Sequence, residues 1–179
     1  MLRPLALLAA LLAGPALAQP DSTGAVPTEA PARSADRAWL GSGMGTASGG
    51  LGMAGRLTYT RGGHVVSLRS AMSVNLVGEV ACLFSDPEAE CAPSAMDFGL
   101  VYGRALVDTP DAFVSVGAGV GGVQALREGA PVGFAVPVEV QAHRVVAPWL
   151  GLGAYGFASL NGTRPFAGVA FSVAFGEMR

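Results

Sequence analysis

From Val65 to Leu76 the chain reads VVSLRSAMSVNL, and its side chains sort by parity. Val66, Leu68, Met72, Val74 and Leu76 share one face, broken by Ser70. Val65, Ser67, Arg69, Ala71, Ser73 and Asn75 share the other. Alternation with period two predicts a β-strand between two different environments. The run is longer than the usual strand of about five or six residues. It matches the roughly 9–11 tilted residues with which a barrel strand crosses a bilayer.

Seven further segments carry a similar pattern. They are expected at about Trp39–Ala47, Leu51–Arg61, Met96–Ala105, Ala112–Leu126, Gly133–Val146, Trp149–Leu160 and Phe166–Phe175. Arg61-Gly62-Gly63-His64 predicts a tight turn, because paired glycines supply positive φ. Val107-Asp108-Thr109-Pro110-Asp111 and Ala147-Pro148 mark two more turns. Short links join strands two–three, four–five and six–seven, with longer ones between three and four and between five and six. Links one–two and seven–eight are also short, so the alternation of loop lengths is partial. Pro137 cannot donate to a ladder and is expected near a strand end or a bulge.

Composition decides what the two faces meet. Only 13% of the residues are charged and 51% are hydrophobic, whereas an ordinary soluble domain is about one-quarter charged. No charged residue lies between Arg144 and Arg164, or between Arg164 and Glu177. A soluble sheet needs polar or charged side chains on its wet face. Here the second face carries Gly, Ser and Ala, which suit the crowded interior of a barrel of about eight strands. The expected fold is therefore all-β: an eight-stranded antiparallel up-and-down transmembrane β-barrel over 38–179, with its apolar face toward lipid.

The N-terminal segment reads as a processing signal over 1–18. Arg3 precedes the apolar run Leu5–Leu12, and Ala16-Leu17-Ala18 offers a small-x-small cleavage site. Residues 19–37, rich in Pro, Ala, Ser and Thr, read as a flexible periplasmic leader. Export to an oxidising compartment lets Cys82 and Cys91 pair as a disulfide across the longest loop. Two thiols without a nearby His do not make a metal site. The carboxylates Glu79, Asp86, Glu88, Glu90 and Asp97 around that loop are expected to be a solvated acidic group.

The barrel segment, about Trp39–Arg179, resembles the small eight-stranded outer-membrane barrels of the OmpA and OmpX kind. The resemblance lies in the strand pattern and in the closing FAGVAFSVAFG, which is similar to the C-terminal insertion signal of such proteins. That family usually ends on an aromatic residue, whereas Glu177-Met178-Arg179 follow Phe175 here. Trp39, Tyr59, Tyr102, Trp149 and Tyr155 are the candidates for an aromatic girdle. The resemblance implies outer-membrane localisation, lipid and lipopolysaccharide as surroundings, and delivery by the outer-membrane assembly machinery. The expected state is a monomer.

Arg56, Arg69, Glu139, Gln141 and His143 fall on the inward faces and are expected to form one polar lumen network, with Glu139 the candidate partner of Arg69. A network that plugs the lumen is favoured over a conducting one, because eight strands leave little open space. A structural or surface-interaction role follows. Two other functions compete with this one. A secreted lipocalin-like barrel would bind an apolar ligand inside, with Val66, Leu68, Val74 and Leu76 lining the cavity. A lipid A-modifying enzyme needs a His with Ser and a carboxylate, yet only His64 and His143 are present and neither begins a His-x-Ser pair. No catalytic residue, cofactor or metal site is expected. The formal net charge of −2 leaves no basic footprint for nucleic acid.

Overall fold

The computed structural model describes residues 36–48, 50–74, 94–126, 129–162 and 165–179. They form eight strands: β1 (Arg37–Ala47), β2 (Gly50–Arg61), β3 (His64–Val74), β4 (Ala95–Asp108), β5 (Ala112–Ala125), β6 (Gly133–Ala147), β7 (Leu150–Asn161) and β8 (Phe166–Gly176). Each pairs antiparallel with its sequence neighbour, and β1 pairs with β8 to close the barrel. Closure leaves no strand edge without a neighbouring strand to pair with. The expected signal segment, nearly all of the leader, Asn75–Leu76, and both cysteines with their loop lie outside the described residues. β1 starts at Arg37, a residue the sequence assigned to the leader.

One end of the barrel carries the start of β1, the end of β8 and the turns β2–β3, β4–β5 and β6–β7. This is the short-turn end. Gly62 and Gly63 turn the first of these at φ of 57° and 76°. β-Bulges at Leu106 and Val146 loosen the register beside the other two. Bulges are common at barrel rims, where they raise the local twist.

Parity holds in every strand. In β3, Val65, Ser67, Arg69, Ala71 and Ser73 are buried, while Val66 and Leu68 face outward. Cross-strand register then assembles the outer face into rows. Leu40, Leu57, Leu68, Leu100 and Val120 form one row across β1–β5. Met44, Met53, Met72 and Met96 form another. Between them Ser42, Gly55 and Ser70 leave a shallow groove of about 770 Å³. This orientation is the reverse of what a lipocalin-like cavity lined by Val66, Leu68 and Val74 requires.

Pro137 lies neither at a strand end nor at a bulge. It is buried inside β6, where the β5–β6 ladder lacks the 119–137 and 120–136 pairs but resumes in the same register. The ladder skips around the missing N–H instead of shifting. Opposite, inward Gly99 leaves space for the ring: a Cβ there would come within 2.9 Å of Pro137 Cγ.

The aromatic candidates divide by face. Tyr59, Tyr102 and Trp149 are exposed toward the short-turn end. Trp39 and Tyr155 are buried in the lumen and belong to no girdle. Both sit on strands with small residues on each face, where parity alone separates the sides poorly.

Candidate functional site: the polar lumen

The lumen is layered along its axis. At the short-turn end, Trp39, Val65, Phe113, Val145, Ala174 and Met178 form an apolar layer. Toward the loop end, Tyr155, Phe157 and Phe166 pack with small residues in a second one. A network of charged and polar side chains lies between, held on β2, β3, β4, β6, β7 and β8.

Arg56 enters from β2. Its Nε donates to Gln141 Oε1 at 3.1 Å, and its Nη2 lies 2.6 Å from His143 Nε2 and 2.9 Å from Ser172 Oγ, to which it donates. Its guanidinium covers the Tyr155 ring at 4.3 Å, a cation–π geometry. Gln141 is a relay. Its oxygen accepts from Arg56, and its Nε2 donates to Glu139 Oε1 at 2.8 Å and to Ser67 Oγ at 3.2 Å. Tyr155 donates its phenolic proton to Glu139 Oε2 at 2.8 Å. Arg56 and Glu139 are therefore joined through one amide. Among the described residues neither has an ion-pair partner within 4.0 Å.

Arg69 does not pair with Glu139. Its Nη2 binds Asp97 Oδ2 on the adjacent strand β4, and Asp97 Oδ1 also accepts from the Ala71 backbone N–H at 3.2 Å. Arg69 further donates to the carbonyls of Val138 at 2.8 Å and Ala158 at 2.9 Å across the lumen. The register sets Arg69 opposite Gly99, which makes Asp97 its diagonal neighbour two residues along. Glu139 lies on β6, three strands away. Asp97 is thus wholly buried, not part of a solvated acidic group.

The network holds two cations, Arg56 and Arg69, and two carboxylates, Asp97 and Glu139, so its charge balances. Arg56, Arg69, Glu139, Gln141 and His143 are all buried within it. Sequence reasoning missed Asp97, Tyr155 and Ser172 as members. Their inward parity was the available signal. Among the described residues, Arg56 Nη1, Arg69 Nε and His143 Nδ1 have no hydrogen-bond partner.

The C-terminal tail closes the short-turn end. Gly176, at φ of 146°, turns the chain after β8. Met178 is buried, and its backbone N–H donates to Pro148 O at 2.8 Å. Arg37 holds the tail by donating to Met178 O at 3.2 Å and by pairing with Asp108. Gly176 and Met178, beyond Phe175, therefore form part of the barrel's closure.

Fold and interior together define a closed eight-stranded antiparallel β-barrel with an apolar exterior and a charge-balanced, hydrogen-bonded core. No family model matches the chain, and no curated protein sequence does. Among solved structures it is similar to Neisserial surface protein A, at 12% identity and a TM-score of 0.48, over 78% of this chain and 94% of that one. It is also similar to a chain from the de novo design of transmembrane β-barrels, at 12% identity and a TM-score of 0.47, with the same coverage. The fold assignment rests on the closed strand pairing itself.

Proposed function

We propose that this protein is an integral outer-membrane β-barrel whose interior is sealed, serving a structural or surface-interaction role in the envelope. The observation that carries the reading is the exterior. On the outward faces of β1–β8 the charged and His side chains are Arg61, His64, Arg104 and Arg144, all toward the short-turn end. The rest is a belt of Leu, Val, Met, Phe and Ala with scattered Gly, Ser and Thr, two tyrosines and Gln124. Water would leave that belt as one exposed apolar surface far larger than the few hundred Å² of ordinary soluble proteins. A bilayer covers it. The signal-like segment and the even strand count support an outer-membrane position with both termini in the periplasm.

The lumen supports a non-conducting and non-catalytic reading. Two aromatic-containing layers flank a network whose donors and acceptors are largely spent on one another. His143 Nε2 lies 3.2 Å from Ser172 Oγ, which superficially suggests a nucleophile and its base. Arg56 contacts both, and all three are buried away from any lipid substrate. On this reading the surroundings are outer-membrane lipid and lipopolysaccharide, the chain is inserted by the outer-membrane assembly machinery, and it acts as a monomer.

The test combines fractionation with conductance. The full chain should co-sediment with outer membranes, resist alkaline extraction and migrate faster on a gel before heating than after. Reconstituted in a planar bilayer, it should give no stepwise conductance. Recovery as a soluble periplasmic monomer without detergent would overturn the membrane reading. Reproducible single-channel steps would overturn the sealed lumen.

A further inference from the structure

The outer surface changes chemistry in three successive rows on β2, β3 and β4. Leu57, Leu68 and Leu100 form the first row, Tyr59, Val66 and Tyr102 the second, and Arg61, His64 and Arg104 the third. Along a strand, same-face residues are about 6.5 Å apart, so apolar gives way to cationic within roughly 13 Å. This is the depth profile of a membrane–water interface, with the phenols at the boundary.

Within the third row the hydrogen bonds leave donors without acceptors. Arg104 Nη1 lies 2.7 Å from His64 Nε2. The same Nη1 also lies 3.2 Å from His64 Nδ1. A guanidinium can only donate, so the ring accepts from it. His64 Nδ1 in turn lies 2.5 Å from Tyr102 Oη, which ties the phenol to the row. The other N–H groups of Arg104 remain available on the same outward face. Among the described residues Arg104 has no carboxylate within 4.0 Å. At the other end of the row, Arg61 lies 3.7 Å from Asp36, which also accepts from Tyr59 at 2.8 Å. Two arginines against one carboxylate leave one positive charge in excess, matching one phosphodiester.

We propose that Arg61, His64, Tyr102 and Arg104 form a binding site for the phosphate of an anionic phospholipid headgroup, an inference that rests on the membrane reading above. Charge complementarity names the ligand class: a fixed set of donors with excess positive charge, at the rim of an apolar belt, fits a phosphate whose acyl chains lie along the Leu and Met rows. Position names the source. This is the end where β1 begins and β8 ends, on the membrane reading the periplasmic side, where the facing leaflet is phospholipid. Arg104 supplies the guanidinium fork that suits phosphate, and His64 holds it in place through Nε2.

The test uses the full chain in nanodiscs of mixed phosphatidylglycerol and phosphatidylcholine, released into native mass spectrometry. The wild type should retain phosphatidylglycerol over phosphatidylcholine, and each arginine lost should reduce that enrichment about fivefold. R61Q/R104Q should return the retained lipid to the bulk ratio, while Arg144→Gln, outside the row, should leave the enrichment intact. Heat-modifiable migration is read on every variant. Failure of the wild type to insert would overturn the membrane reading and this site with it. Normal insertion with lipid at the bulk ratio in the wild type would overturn the site alone. Loss of the enrichment on adding millimolar inorganic phosphate would also overturn it, since the site would then recognise free phosphate and not a lipid.

Discussion

Arg69 and Asp97 form an ion pair in which neither side chain has any solvent exposure. The pair joins β3 to β4 diagonally, and its remaining capacity is spent on the backbone: Ala71 N–H for Asp97, and the Val138 and Ala158 carbonyls for Arg69. Asp97→Ala should cost about 3–5 kcal/mol, because it leaves a guanidinium buried without its counter-charge. The double replacement R69M/D97L should be much less harmful than either single change. Urea unfolding in lipid vesicles, read by gel migration, checks the cycle. Additive losses would show that the two residues are not coupled.

How the sequence does and does not reveal this pair follows from what parity encodes. Alternation assigns Arg69 and Asp97 to inward faces, and it places Leu57, Leu68 and Leu100 outside. It cannot say which inward groups meet, because that depends on the register between neighbouring strands and on the stagger of the closed barrel. Arg69 lies opposite Gly99, so its carboxylate is the one two residues along on β4. Without that register, Glu139 is as good a candidate. Trp39 and Tyr155 went unrecognised as lumen residues for a related reason. Their strands carry glycine or alanine on both faces, so hydrophobicity does not mark the inside. The tail was opaque because Met178 is buried through a turn at Gly176, beyond the last alternating residue.

The Gln141 relay separates two charges that do not touch. Gln141→Leu keeps the volume but removes the acceptor for Arg56 Nε and the donor to Glu139 Oε1. Each stranded buried group costs about 1–3 kcal/mol, and more where charged. Tyr155→Phe removes only the donor to Glu139 Oε2 and keeps the ring beneath Arg56. Gln141→Leu should therefore destabilise roughly twice as much as Tyr155→Phe in the same unfolding assay. Equal losses would indicate that Arg56 does not depend on the amide.

The tail gives a local optical reporter. Trp39 meets Phe113 edge-on at 4.9 Å in the apolar layer that Met178 completes. Trp149, the other tryptophan, is exposed and can be replaced by Phe to leave Trp39 as the sole emitter. In that background Met178→Ala should cost about 2–5 kcal/mol and open Trp39 to acrylamide quenching. Arg179→Ala, whose side chain makes exposed contacts to Pro110 O and Asp111, should do neither. Unchanged quenching in Met178→Ala would mean the short-turn end is closed without the tail.

The exterior belt predicts a depth dependence that a water-exposed surface would not show. Leu68 stands in the leucine row and is 60% exposed, while Val146 lies in the bulge beside the β6–β7 turn and is 50% exposed. In water the two positions are equivalent, and arginine at either would change stability by less than about 0.5 kcal/mol. In a bilayer they differ. Leu68→Arg should cost about 2–4 kcal/mol, and Val146→Arg about 0–1, because the penalty falls from the midplane to the interface. Unfolding midpoints measured in vesicles decide between the two surroundings. A gap of several kcal/mol places Leu68 in hydrocarbon, and similar small effects at both sites would remove the main support for a membrane belt. The same pair in detergent micelles should show a smaller gap, since a micelle adapts its thickness to a buried cation more readily than a bilayer does.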